Sequence, residues 1–363
     1  MFELKNYWYL LIWLFTIGIL LRMGGRKQQT YIFGQPQWRW SVTSTCILLF
    51  PYLMWAAYRS DKIGDTAIYR ARFLQGVSKW SEFIPTVMKA EEEKGYEAIN
   101  AFLHILLGNN DKLFLGIIAF VQLALIFTIY RLFSEDLWLS LFLFVASSTY
   151  ASGVFNGVRQ FLASAVCFFA LIYVLKKQYI RTFILLLIAV SIHQSAIIMI
   201  PIFFIAQGKA WNKRTIIFII LSLCVITSVS QFTNLLGIIT ENTSYSGVTT
   251  GEMWKIDDGV SPIRVAISAV PMLIAWLGKG VTDEIDSPLI NMCVNMSVIN
   301  FGMYLVGMVT SGIYIGRLPM YTYLYTYLLL PWEMNHVISK RSRKIVYLSM
   351  LVLYIIVFYV EMF

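Results

Sequence analysis

Three side chains far apart in this 363-residue sequence carry the groups needed to work on a phosphate ester: Asp65, Arg159 and His193. Arg159 and Gln160 open an apolar run directly after the turn Asn156–Gly157, and His193, followed by Gln194 and Ser195, interrupts the next run. A guanidinium offers a fork of donors matched to phosphate oxygens, and a helix N-terminus beside it adds unpaired N–H groups and partial positive charge. Two later runs begin in the same manner. One opens with Ser261, Pro262 and Arg264, a Ser cap with Pro at the first helical position; the other opens with Ser311 and holds Arg317 just inside. Asp65, in the stretch YRSDKIGDTAIYRARF, is the carboxylate best placed to accept a proton from an attacking hydroxyl. The chemistry these groups suit is displacement of a phosphate-bearing leaving group by a hydroxyl.

Each residue also has a plainer explanation. Arginines near span ends reach to lipid headgroups, a lone histidine can cap a helix, and an Asp next to Gly is an ordinary turn residue. Glu91, Glu92 and Glu93 read as a solvated charged run, His104 as part of the apolar side of a loop helix, and His336 as part of a basic loop.

The elements that position these groups are membrane helices. With 58% hydrophobic and 13% charged residues and a mean hydropathy of +0.67, a soluble domain could not hide the apolar surface, so lipid is the solvent for most of the chain. The net charge of +9 reads as cytoplasmic loop charge, and with no clustered basic face a nucleic-acid partner is not expected. Cys46, Cys167, Cys224 and Cys293 lie inside apolar runs without metal-ligand spacing and read as small buried hydrophobes.

The first run, Tyr7 to Leu21, reads as a retained span, and the acid-free loop Arg22–Trp40 as cytoplasmic. A span at 41–58 leads out to the polar stretch 59–112, where KAEEEKGYEAINAFLHILLG reads as one or two short interfacial helices in an external loop. Spans at 113–130, 137–152 and 157–175 follow. The run 182–205 decides the topology. As a single crossing it would leave Lys209, Lys213 and Arg214, and later Lys340, Arg341, Arg343 and Lys344, outside; a turn at His193–Gln194–Ser195 brings both clusters back to the cytoplasm. The sequence therefore predicts a hairpin of short helices there. A span at 215–236, a second external loop at 237–262 and spans at 263–278, 289–310, 314–333 and 345–361 complete about twelve crossings. The expected fold is one all-α polytopic membrane domain over 1–363.

In their order and spacing the polar residues resemble a known family. The pattern R-x(4-5)-G-D-T-x-x-Y-x-x-x-F falls on Arg59, Gly64, Asp65, Thr66, Tyr69 and Phe73, and G-Y-E-x-x-N on Gly95, Tyr96, Glu97 and Asn100. V-R-Q-x-L-A spans Val158–Ala163, and A-x-x-x-H-x-S falls on Ala189, His193 and Ser195, with Pro201 downstream. Together these resemble the EpsG family of bacterial exopolysaccharide and O-antigen polymerases of the Wzy type. One departure is that Gly64 and Asp65 are adjacent, where the family usually places a residue between them.

The resemblance implies a multi-pass enzyme of the bacterial cytoplasmic (inner) membrane with its site facing the periplasm, and a C-type membrane glycosyltransferase fold in which an early external loop bears an acid, here Asp65. The implied substrate is an oligosaccharide repeat unit on undecaprenyl pyrophosphate, joined to another such unit. Asp65, His193 and Arg159 are then the expected catalytic residues; Arg59, Thr66, Tyr69, Gln160, Ser195, Arg264 and Arg317 are expected to bind substrate or pyrophosphate. Neither a cofactor nor a metal is expected, since protein cations can neutralise the departing charge. Membrane lipid and a chain-length regulator protein are the further expected partners. The competing functions are a flippase or transporter for the same lipid-linked unit, a membrane O-acyltransferase using His193 as base, and the related glycan ligase, which transfers the finished chain onto another lipid.

Overall fold

The apolar runs fold as helices, and at several starts a side chain satisfies an orphan N–H: Ser41 Oγ accepts from Ser44 N (3.1 Å), Asn110 Oδ1 from Leu113 N (3.1 Å) and Asp136 Oδ1 from Leu139 N (3.2 Å). In a computed structural model that describes residues 2–32, 34–241 and 259–362, the chain order is α1 (Trp8–Gly24), β1 (Lys27–Ile32), β2 (Gln35–Trp40), α2 (Val42–Tyr58), α3 (Thr66–Leu74), α4 (Trp80–Lys89), α5 (Lys94–Leu107) and α6 (Asp111–Phe133). Then come α7 (Leu137–Ala146), α8 (Thr149–Val154), α9 (Val158–Leu175), α10 (Tyr179–Ile192), α11 (Met199–Ala206), α12 (Lys213–Thr227) and α13 (Val229–Thr240). The described chain ends with α14 (Pro262–Leu277), α15 (Lys279–Ile285), α16 (Pro288–Val309), α17 (Tyr323–His336) and α18 (Lys340–Met362).

These elements belong to two compact units, Met1–Ile197 with Lys340–Phe363, and Ile198–Ser339, a division that no linker in the sequence announces. In the first, α6 is the central post, packed against α2 on one side and α9 on another. Aromatic contacts fix its height: Phe114 stacks on Phe73 of α3 at 4.1 Å, and Tyr130 meets Phe168 of α9 edge-on at 5.4 Å. A π-helical stretch in α1, Leu14–Gly18, goes with a Leu14 carbonyl that accepts from Trp138 Nε1 of α7 at 2.9 Å. In the second unit α16 is the post, with α14, α12 and α17 around it.

Four helices are long and apolar enough to cross a membrane alone, and two bent pairs bring the number to six among the described residues; five more apolar helices are shorter, at 10–17 residues. The protein is thus a helical, multi-pass membrane protein. The expected twelve crossings included those short helices.

Four local expectations change. The loop Arg22–Trp40 contains a two-stranded antiparallel hairpin, paired from Lys27↔Trp40 to Ile32↔Gln35, where alternation in KQQTYI and QPQWRW puts every second residue outward. The span 215–236 is not one rod: α12 and α13 meet at 110° around Ser228, where the Thr227 and Ser228 hydroxyls both bond back to Cys224 O (2.9 and 2.7 Å) and compete with the helix ladder. The span 314–333 opens as a 3-10 helix, Ile315–Tyr321, carrying Pro319, before α17 begins. Of the cysteines, Cys167 and Cys293 are buried, but Cys46 and Cys224 lie on exposed helix faces. Most of the second expected external loop, with Glu252, Asp257 and Asp258, lies outside the described residues.

Candidate active site

The helix predicted to break at His193 does so. Helix α10 ends at Ile192, His193 is extended (φ −152°, ψ 120°), and a short 3-10 helix, Gln194–Ile198, follows. Its imidazole is held by Glu93. One carboxylate oxygen of Glu93 faces Nδ1 of His193, and the other pairs with Nη1 of Arg159. A single carboxylate therefore bridges the imidazole and the guanidinium that the sequence marks as candidate site residues. The Glu93 side chain is 8% exposed, His193 19% and Arg159 33%, so the acid is enclosed while the two outer groups keep an open side.

Glu93 is the candidate site residue that the sequence does not single out. It was read with Glu91 and Glu92 as a solvated run. Its neighbours set it apart: it adopts a left-handed conformation (φ 50°) immediately before α5, a position uncommon for a residue with a side chain. Two residues later Gly95 allows α5 to lie against α10, where an added Cβ would sit 2.2 Å from Ser191 Oγ. The G-Y-E motif thus marks a close helix crossing, and Glu93 is the side chain that the crossing delivers to His193.

The electrostatics follow from this packing. Burial alone would raise the Glu93 pKa, but the hydrogen bond from His193, together with the Arg159 guanidinium, outweighs it and holds the carboxyl below its ordinary range. Glu93 is ionised at neutral pH. A neutral His193 with its Nδ1 proton directed at this carboxylate presents Nε2, which has no hydrogen-bond partner among the described residues, as an acceptor. Arg159 keeps part of its donor fork turned away from Glu93, and its guanidinium carbon lies 5.8 Å from the Tyr96 ring.

Helix α9 is anchored at its start. Gln122, well inside α6, donates to Val158 O at 3.0 Å, and the Arg159 N–H reaches the Tyr69 hydroxyl at 3.5 Å. Gln160 Nε2 donates to Ser195 Oγ at 3.4 Å, which ties the first turn of α9 to the turn after His193. Among the described residues no three His, Cys, Asp or Glu side chains cluster as a metal site.

The family model that matches this chain is that of the EpsG family, over residues 42–363. The chain belongs to the EpsG family. No curated protein and no solved structure matches it. The match runs well past Pro201, where the recognisable motifs end, so the second unit is as much a part of the family as the first. The family is associated with polysaccharide polymerases, which makes a glycosyltransferase-like polymerase the coarse role of this EpsG chain.

The remaining motif residues of the EpsG chain divide into three sets. Arg59, Thr66 and Tyr69 build the support for the site. Arg59 is 1% exposed, with Nε donating to Thr66 Oγ1 (2.8 Å), Nη1 to Ala56 O (2.6 Å) and its guanidinium 5.1 Å over the Phe155 ring. Burial pushes its pKa down to about 10, so it stays charged at neutral pH. The fully buried Thr66 and nearly buried Tyr69 sit on the same helix, α3.

Asp65 forms the second set with the turn before α9. Its N–H donates to Phe155 O (3.1 Å), its carboxylate accepts from Gly157 N (3.2 Å), and the Asn156 amide, with its nitrogen turned inward, reaches both oxygens at 2.9 and 3.1 Å. Gly64 makes room for this interlock: it is left-handed (φ 52°), and a Cβ there would fall 2.6 Å from Phe155 O. Asp65 is half-buried and engaged by these donors, not by His193. The third set is Arg264 and Arg317, which belong to the second unit, exposed on the first turn of α14 and on the 3-10 helix before α17. Pro262 takes the first helical position as expected, but Ser261 makes no capping bond.

Proposed function

We propose that this protein is a polysaccharide polymerase that joins oligosaccharide repeat units carried on undecaprenyl pyrophosphate at the external face of the bacterial cytoplasmic membrane. The observation that carries the proposal is the Glu93 carboxylate shared by His193 and Arg159. An acceptor hydroxyl attacks the anomeric carbon of the donor sugar, the bond from that carbon to the pyrophosphate oxygen breaks, and His193 Nε2 takes the hydroxyl proton. The charges of Glu93 and Arg159 offset each other, and the proton that His193 takes up adds one positive charge to the site as the pyrophosphate departs. Arg159 meets the growing negative charge on the leaving group.

Asp65 was the first choice as proton acceptor. With its oxygens taken by Gly157 and Asn156, its role in this scheme is to set the turn that aims Arg159. Arg264 and Arg317 are assigned to the glycan or pyrophosphate chain. Basic loops placed inside put the His193 turn at the external face, and the hairpin at 182–205 is part of the proposal. No metal takes part in the scheme, so polymerisation by purified protein should survive chelation with EDTA.

The test is deletion of the gene followed by gel analysis of surface glycan. A polymerase mutant shows single capped repeats, a flippase mutant shows none, and an acyltransferase mutant keeps a full ladder. Complementation with the natural protein should restore the ladder, and with His193→Ala it should not. A ladder that persists in the deletion strain overturns the proposal.

A further inference from the structure

A groove runs along α2 between it and α6. Two adjoining cavities make it up and share Leu53 and Phe120: one extends to Val42 and Arg131, the other to Tyr58 and Asn110. The two helices touch closely near one end, where an added Cβ on Gly116 would lie 3.2 Å from Ala57, and the half-buried Ala124 lines the floor of the other cavity. Phe50 and Phe120, each nearly 60% exposed, form the rims.

We propose that this groove holds the isoprenoid chain of the lipid-linked substrate, with its phosphate held first at Lys112, before it moves to Arg159 for the reaction. Three observations choose this occupant; the proposal rests on the polymerase function above. The first is length. The 17 residues of α2 rise about 25 Å, most of the ~30 Å hydrocarbon core, whereas a phospholipid acyl chain ends near its middle, at about 15 Å. A groove of this depth suits a chain that outlasts one leaflet.

The second is charge. One mouth carries Lys112, whose ammonium sits 5.6 Å from the Tyr58 ring, beside Asn110, a cation and a donor for a phosphate; at the other end Arg131 is turned to Trp40 O (3.4 Å). The third is continuity. The Lys112 mouth adjoins Arg59 and Asp111, both held by Arg70 of α3, through Arg59 O at 2.9 Å and Asp111 at 3.2 Å. The preceding residue, Tyr69, accepts from the Arg159 N–H through its hydroxyl. A phosphate held at this mouth is therefore separated from Arg159 by one short helix and travels past it, down the flank of α6, to react.

The test uses the full-length protein in phosphatidylcholine nanodiscs and two probes, a 55-carbon polyprenyl phosphate and 10-carbon geranyl phosphate, with bound lipid counted by native mass spectrometry. The natural protein should prefer the long chain by about tenfold, a size set by packing contacts in lipid. Ala124→Trp, which fills the floor, should abolish that preference, and Lys112→Ala should weaken both probes alike. Cys46→Trp fills the groove from the opposite wall and serves if Ala124→Trp does not fold. Equal binding of both probes to the natural protein, or a preference that survives both fillings, overturns the groove assignment, as does displacement of the long probe by phosphatidylglycerol at equal concentration. His193→Ala should keep the long-chain preference while losing the glycan ladder. If filled and natural proteins restore the ladder equally, the groove assignment fails and the polymerase stands; if the preference is found but no ladder is ever restored, the polymerase fails and the lipid site stands.

Discussion

A carboxylate shared between an imidazole and a guanidinium predicts different losses for its three members. His193→Ala removes the proton acceptor and should slow polymerisation by about 10²–10⁴; Arg159→Ala removes leaving-group stabilisation and should cost about 10²–10³. Both are read as chain length formed per unit time from purified lipid-linked repeats, and full activity in either variant would remove that residue from the site. Glu93 adds a pH signature. Its pKa is depressed in the folded state, so the stability it contributes is fully present above the ordinary carboxylate pKa, about 4.3, and is lost as pH falls through the lower folded value. Glu93→Gln should therefore destabilise the protein by ~1–3 kcal/mol at pH 7, and the gap in melting temperature should close as the pH drops below about 4. A gap that stays constant down to pH 3 would show that the charge on Glu93 does not matter. At this scale the sequence made Arg159 and His193 legible, because a cation or imidazole at the edge of an apolar run has few reasons to be there. Glu93 was not legible: in a run of three acids nothing local distinguishes the one that turns inward, and its backbone conformation and its partner 100 residues away are set by packing.

Among the elements, the crossing of α5 and α10 is the most exposed to a single change. Any side chain at Gly95 must push the two helices apart, since the obstacle includes Ser191 backbone as well as its hydroxyl. Gly95→Val is expected to cost ~1–3 kcal/mol, visible as a lowered melting temperature, and to break polymerisation even in the protein that folds, because Glu93 no longer reaches His193. A variant that folds normally and polymerises at the natural rate would mean that the crossing does not position the site. Most membrane helices are readable from apolar runs and caps; α3, α4 and α15, which lie outside those runs, are not. The bend at Ser228 was not, because two hydroxyls bonding back to one carbonyl look like any polar pair in sequence. The β-hairpin at 27–40 was hidden by its basic and amide residues, which match a loop until the alternation is seen in pairing.

For the whole molecule, the proposed orientation makes a prediction about accessibility. In a protein with its four native cysteines replaced, a cysteine at Glu91 should react with a membrane-impermeant maleimide from outside the cell. Cysteines at Lys177, Lys209 and Lys340 should react only after the membrane is opened. Lys209 is the decisive position: labelling from outside would mean that the run 182–205 crosses once, and the external placement of the His193 turn would fall.

The bond from Gln122 to the first carbonyl of α9 has one more implication. Gln122 lies eleven residues into a 23-residue helix, so α9 starts about 16 Å down the flank of α6. On the proposed function, the sugar–phosphate bond is then broken in a recess beneath the lipid headgroups, where bulk water is scarce. An activated donor waiting there is guarded against wasteful hydrolysis until a second glycan arrives with its hydroxyl.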